Sequence, residues 1–407
     1  MFPPEFFANN RKKLLQTSGL ELVVIAANGL LQRSGDTTFA FRQDSNFWYL
    51  CGVDLPDYIL IITIDADYLI APDREAHRDL WEGKVDTKTL LSVSGVKDIL
   101  SKDAALSMLQ DKIQLCHKVG IIPAPDTYAA MHGFYTNPAR LSLINELRKF
   151  VDPKAMIDVR TAIARLRQIK YPQELQSIKK AIDITGDAFK QLKNVVSSLK
   201  TEADIQHFLT YVMMQNGADG HAYEPIIASD VNAATIHYTA NNASLKNKAM
   251  ILYDVGASYQ LYAADISRTY ALKNPSSRLI ALHAAVCESQ MAIMKLIKPG
   301  VTMKQLELAA EDIVGDSLLQ LGLIQSKESE KIRQFYPHAV SHFLGLDVHD
   351  TADYDLALSE GMVITVEPGI YIQNESLAVR IEDDIVITKD GCINLSAQIP
   401  RDLLYYI

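Results

Sequence analysis

Short continuous apolar runs alternate with helical periods along the first part of the chain. Leu20 to Ile25 and Tyr58 to Ile62 are dense in Leu, Val and Ile and read as buried strands. Leu106 to Leu115 has a helical period and is followed by Val119-Gly120-Ile121-Ile122, a further strand. Strands mixed with helices predict an α/β domain. Its end is expected within 151–172, where Pro153, Pro172 and the charged stretch from Arg160 to Lys170 break the pattern. The predicted domains are therefore 1–170 and 171–407.

The second part carries a coarse duplication of pattern. Pro172 opens a helix with apolar positions at Leu175, Ile178, Ile182, Phe189, Leu192 and Val196. Thr201, with Asp204 three residues on, reads as the cap of a helix through Ile205, Phe208, Leu209 and Val212 that stops near Gly217. Strands with His221 and His237 are expected next, then a hairpin bearing Asp254 and Asp265. The order recurs: a helix from Leu279 to Ile297, Pro299-Gly300, the cap Thr302 with Gln305, and a helix ending near Gly322. Strands with His338, His342 and His349 and a second hairpin with Glu367 and Glu382 complete it. The fold class expected is α/β (α+β), with an N-terminal α/β domain and a second domain of two similar halves related by pseudo-twofold symmetry.

The candidate chemistry sits on those hairpins. A carboxylate in an apolar setting is costly unless something cationic accompanies it. Asp254 ends the run Met250-Ile251-Leu252-Tyr253, and Asp265 follows Leu261-Tyr262-Ala263-Ala264. A turn at the polar stretch Ser258-Tyr259-Gln260 makes the two aspartates cross-strand neighbours. Glu367 and Glu382 are likewise symmetric about Gln373-Asn374-Glu375-Ser376. Like charges directly opposite destabilise a hairpin. One such pair could be accidental, or could share a proton. Two pairs with a histidine-rich segment between them point to a site built around two metal ions.

Composition narrows the setting. Of 407 residues, 48% are hydrophobic, enough for large cores, and the net charge of -9 gives no basis for general nucleic-acid binding. Cys51, Cys116, Cys287 and Cys392 form no Cys-x-x-Cys pair, which suits a reducing compartment and no zinc-ribbon or disulfide framework. Pro3, Pro4 and Glu5 fall where a signal peptide needs an apolar core, and no apolar run is long enough to span a membrane. A cytoplasmic location is expected.

Five segments carry a resemblance: AYEPIIASDVNAATIHYTANN, ILYDVGASYQLYAADISRTY, HAVSHFLGLDVHD, GMVITVEPGIYI and VRIEDDIVI. They resemble the pita-bread metallopeptidases, the family of aminopeptidase P, prolidase and methionine aminopeptidase. FRQDSNFWYLCGVDLPD and the stretch around RDLWEGK resemble the creatinase-like N-terminal domain of aminopeptidase P. The resemblance implies an Xaa-Pro aminopeptidase of the bacterial type, with a pita-bread catalytic domain at 171–407. Residues 1–170 would serve oligomerisation and substrate access. It implies Asp254, Asp265 (bridging), His342, Glu367 and Glu382 as ligands of two divalent ions, Mn²⁺ being favoured and Co²⁺, Fe²⁺ or Zn²⁺ being alternatives. His237, His338 and His349 match active-site histidines that are not ligands. Arg380 and Tyr371 match groups that orient ligands.

The implied mechanism is attack of a metal-bridging hydroxide on the Xaa-Pro carbonyl. Glu367 would handle the water proton, and His338 and His349 would donate to the oxyanion or the leaving nitrogen. His237, His349 and Tyr223 would form the proline pocket. Peptides with proline second are the expected substrates, and a homodimer or homotetramer the expected assembly, with Trp81 as a contributor from a neighbouring subunit. His77, His117, His132, His207, His221 and His283 read as packed or exposed side chains. Three departures from the family pattern stand out: Asp230 where Gly is usual, Ala339 after His338, and a short 372–379 loop. A prolidase is the nearest rival. A metal-free creatinase-like relative would have lost ligands, all of which are here, and methionine aminopeptidase usually lacks the long N-terminal domain.

Overall fold

The computed structural model describes residues 2–73, 78–124, 129, 131 and 133–406. His77 and His132 lie outside the described residues. The chain forms two compact units, Met1–Arg167 and Gln168–Ile407. Among the described residues, no helix is long and apolar enough to cross a membrane.

The N-terminal unit is built on a mixed six-stranded sheet. Its order is Asp98–Leu100, Tyr68–Ile70, Ile59–Thr63, Leu22–Ala26, Val119–Ile121 and Met156–Asp158. The first two expected strands pair directly, antiparallel, with Leu22 opposite Thr63. Leu22–Ala26 is buried at every position, which explains its unbroken apolar run: a central strand covered on both faces has no polar side to show. The helix Lys102–Cys116 ends at His117, whose φ of 57° makes it the left-handed cap, a structural role. Trp48 is packed in the interior, whereas Trp81 is 83% exposed.

The C-terminal unit repeats one plan. Helices Pro172–Leu192 and Glu202–Gln215 pack together, as do Ser277–Met294 and Met303–Gln320. Both caps form as the sequence predicts. Thr201 exchanges bonds with Asp204, and Thr302 with Gln305. Each capping threonine also bridges a later segment, Thr201 to Ser244 and Thr302 to Ala357. Beside each helix pair lies a three-stranded antiparallel sheet. One holds Ile226–Ser229, Met250–Asp254 and Ser267–Ala271; the other holds Val363–Val366, Asp383–Ile387 and Cys392–Asn394. A two-stranded ribbon, Gly369–Ile372 with Leu377–Arg380, extends the second.

Three expectations need correction. His237 lies in a turn after the 3-10 helix Asp230–Ala234, not on a strand. His338, His342 and His349 are also on irregular backbone. Residues 340–344 do run beside 363–367, with Leu344 N–H on Val363 O, Thr365 N–H on His342 O and Glu367 N–H on Val340 O. The return bond is diverted, because His342 N–H goes to the Thr365 hydroxyl rather than to its carbonyl. Half a ladder results. Third, Asp254 pairs with Ser267, not Asp265. The turn falls at Gln260 and Leu261, both left-handed (φ 50° and 67°), and this register puts Gly256 opposite Asp265.

Candidate metal centre

Four carboxylates and an imidazole converge in the C-terminal unit because two hairpins end in one buried space. The Glu hairpin holds the register expected of it. Val366 pairs with Asp383 and Gly369 with Arg380, so Glu367 faces Glu382 in the gap between the two ladders. Glu382 N–H reaches across to Ser267 O at 3.0 Å, joining the Glu hairpin to the Asp hairpin. In the Asp hairpin, Asp254 and Asp265 are diagonal rather than direct neighbours, still within reach of one site.

Ligand atoms of Asp265, His342 and Glu382 lie within 4.8 Å of one another. His342 Nε2 is 3.3 Å from Asp265 Oδ2 and 3.4 Å from Glu367 Oε1. Its Nδ1 donates to Phe343 O at 3.0 Å, which fixes the ring and aims Nε2 at the carboxylates. Asp254 lies outside this group of three; its oxygens accept from Tyr223 OH (2.6 Å) and Arg380 Nη2 (2.6 Å).

Crowding shows in the electrostatics. Burial, then repulsion from Asp265, Glu367 and Asp254, drives the Glu382 carboxyl well above the usual range. Burial raises Glu367 to about 7, with His342 opposing and Asp265 reinforcing. Asp265 is raised by burial, against the bond from His342 and with the charge of Asp254. Burial opposes charge on His342, but the bond to Asp265 and the charges of Glu367 and Asp265 raise it to about 9. Among the described residues near these acids, Arg380 is the one guanidinium that touches them, at Asp254. Oxygen donors with one oriented imidazole, short of positive charge, fit a divalent cation.

A relay runs from the centre to His338. Arg380 donates from Nη1 to Tyr371 OH (2.7 Å) and from Nε to Ser267 Oγ (2.8 Å), and Ser267 Oγ donates to Glu382 Oε2 (2.7 Å). Tyr371 OH meets His338 Nε2 at 2.8 Å, and His338 Nδ1 faces Ala339 O at 2.9 Å. A carbonyl only accepts, so Nδ1 carries the proton and Tyr371 donates to Nε2. Burial lowers His338 to about 4. His349 is lowered to about 4, first by burial and then by the charges of His342 and His237; its ring stands edge-on to His342, centroids 4.4 Å apart. His237 is exposed, and His349 keeps part of its side chain open to solvent while its ring is desolvated enough to lower it.

Sequence reasoning passed over Ser267, Thr365 and Asp384. Thr365 Oγ1 accepts from His342 N–H and donates to Glu367 Oε1, each at 3.1 Å. Asp384 Oδ2 accepts from Asp265 N–H at 3.1 Å. Each stands two residues from an acidic residue of the site, and the two-residue strand period that puts them on the same face was the signal. The intervening Asp383 points away and pairs with buried Arg268 at 2.6 Å. Of the departures, Asp230 is left-handed (φ 45°), a conformation aspartate tolerates. Ala339 takes no positive φ. The histidines read as structural are so placed: His221 bonds Thr210 (2.8 Å), His283 is buried and His207 is exposed.

The chain matches "Metallopeptidase family M24" over residues 176–389 and "Aminopeptidase P, N-terminal domain" over residues 7–120. It is 32% identical to Xaa-Pro aminopeptidase 3 of Mus musculus, over 94% of this chain and 79% of that one. It is 29% identical to the Xaa-Pro aminopeptidase of Escherichia coli K12, over 91% of this chain and 89% of that one. The fold is similar to a low-pH form of E. coli aminopeptidase P, with a TM-score of 0.85 at 26% identity over 99% and 97% of the two chains. Matched over more than half its length and aligned with a 32% identical relative along nearly all of it, the chain belongs to the M24 metallopeptidases, a family of hydrolases.

Proposed function

We propose that this protein removes the N-terminal residue from peptides with proline in the second position, using two divalent metal ions. The observation that carries the reading is the convergence of Asp265, His342 and Glu382 at the junction of two acidic hairpins. The aminopeptidase names of its relatives favour it over a prolidase. Asp254, Asp265, His342, Glu367 and Glu382 would hold the ions. The donor set suits Mn²⁺, with Co²⁺, Fe²⁺ or Zn²⁺ as alternatives. Ions bound there supply Lewis-acid activation of a water and of the scissile carbonyl.

The chain's own residues divide the remaining work. Thr365 pins Glu367 Oε1, which leaves Oε2 to take a proton from the attacking water and pass it to the proline nitrogen. His349, neutral at pH 7 and exposed beside His342, can donate an N–H to the developing oxyanion. His338, engaged at both ring nitrogens, supports Tyr371 and through it the relay from Arg380. The Xaa-Pro bond has no N–H to recognise, so shape must select it. His237 and His349 provide imidazole faces for the ring, and Tyr223 borders the same space through Asp254. We assign residues 1–170 to association into a homodimer or homotetramer and to substrate access, and the protein to the cytoplasm, which suits its four free thiols.

The test is hydrolysis of Arg-Pro-Pro against Ala-Pro by the Mn²⁺-loaded protein, with a chelated control. Release of Arg, with the dipeptide slow, is expected. Preference for the dipeptide would make the enzyme a prolidase.

A further inference from the structure

Glu202 is fully buried, yet its carboxylate holds both flanks of the loop that carries His237. Oε1 accepts from Ser229 N–H (2.8 Å), Ser229 Oγ (2.7 Å) and Asn232 Nδ2 (3.1 Å). Oε2 accepts from Tyr238 OH (2.8 Å) and Ala243 N–H (2.9 Å). None of the five donors is a cation. A buried carboxylate is tolerated this way when its lone pairs are filled, and Glu202 also opens the helix Glu202–Gln215, at the end whose dipole favours negative charge. The bonds outweigh burial and hold the acid below its ordinary range.

What the hub fixes is a loop with little regular structure. Other clamps act beside it: Asp230 Oδ1 takes the N–H groups of Ala249 and Met250, and Asn241 accepts the Ile227 N–H and donates to Pro225 O and Gln206 Oε1. Glu202 reaches further in, to Tyr238, the immediate neighbour of His237. Ile236 and Tyr238 pack against the core, while His237 between them is exposed and lies near His349.

We propose that Glu202 is a positioning residue for the reaction, acting through Tyr238 to set His237 against the proline of the substrate. This rests on the role given to His237 above. Two variants test it in the metal-loaded full chain. Glu202→Gln replaces Oε2 with an amide that faces the Ala243 N–H, and Tyr238→Phe removes one bond at nearly constant volume. Each is expected to raise KM for Arg-Pro-Pro about tenfold, the worth of one bond to a charged group, with kcat and metal content little changed. In a His237→Ala background the same changes should add almost nothing. Equal losses with and without His237 would mean a merely structural role and overturn the proposal. If Glu202→Gln does not fold, Tyr238→Phe decides by the same cycle. Amide exchange over 235–243 provides a readout independent of turnover. If the wild-type protein cleaves no Xaa-Pro peptide, the functional reading fails. Faster exchange in Tyr238→Phe then still sustains the clamp, and unchanged exchange overturns it.

Discussion

The two acidic hairpins look alike in sequence and are built differently. In the Glu hairpin, both acids share one rung, interrupted strands resume in the same register on either side, and the turn falls where symmetry puts it. In the Asp hairpin the register is displaced by two residues. Asp254 faces Ser267, and Asp265 faces Gly256. The cause is local. A Cβ at 256 would collide with the Ala264 carbonyl oxygen, so only glycine lets the chain cross itself there and swing Asp265 inward. The Gln260–Leu261 turn, left-handed at both residues, then closes a short inner ladder of its own. Symmetry of charge about a turn thus locates a pair of acids in space without fixing which rung they occupy.

Removing an acid from the shared rung should have the largest effect. Glu367→Ala is expected to lower kcat/KM for Arg-Pro-Pro by about 10³-fold or more and to reduce bound metal. Full activity with full metal content would refute its role. Next come the glycines that distinguish the hairpins. Gly256→Ala must move backbone and should destabilise the unit by roughly 2–3 kcal/mol. Gly369→Ala meets a side chain instead, with the Tyr371 hydroxyl 2.7 Å from the new Cβ. It should spare stability relative to Gly256→Ala and slow turnover through the Tyr371–His338 relay. Thermal melts and kcat for the pair decide; an equal loss of Tm in both would erase the distinction.

Smaller effects are expected from the hydroxyls that tie each hairpin to the centre. Ser267→Ala frees Glu382 and Arg380, and Thr365→Val frees Glu367 and the His342 backbone. Each should weaken metal affinity about 10- to 100-fold, read by titration of apo protein with Mn²⁺. These hydroxyls show in the chain only through the two-residue strand period from an acid of the site. Helices, caps and the four candidate acids are legible because each has a local signature: a period of 3.6, a Thr with an acid or amide three residues on, an acid in or after an apolar run; His342 as a ligand came only with the family resemblance. The histidine segment is expected as strand only from its place in the repeated order of elements, and nothing local reveals that Thr365 intercepts the His342 N–H. Glu202 was invisible for the same reason. Its five donors span residues 229–243, joined to it only by the fold.

The Glu hairpin is tied to the start of helix Ser277–Met294 by the half-exposed pair Glu375–Arg278, and the Asp hairpin has a tether to a helix start that is buried. Tyr262, on its inner arm, donates to Glu174 Oε1 (2.9 Å), and Glu174 Oε2 accepts the Tyr171 N–H (2.9 Å) at the start of helix Pro172–Leu192. Burial raises Glu174 to about 7, outweighing the Tyr171 bond, nearby Lys170 and the Tyr262 bond. The folded state therefore holds this proton over a pH range where the unfolded chain, with an ordinary value of 4.5, has released it. Where the folded state binds more protons, stability falls as pH rises. The contribution is full below about 4.5 and is lost as pH rises through about 7, and its size is on the order of 3 kcal/mol. Glu174→Gln keeps the volume and removes the titration. The stability of the wild-type protein minus that of the variant, followed by urea unfolding from pH 4.5 to 8 with metal present, should decline across that window and then level off. Parallel curves would show that Glu174 is already ionised in the fold, and that the Asp hairpin is tethered by a charge rather than by a buried acid.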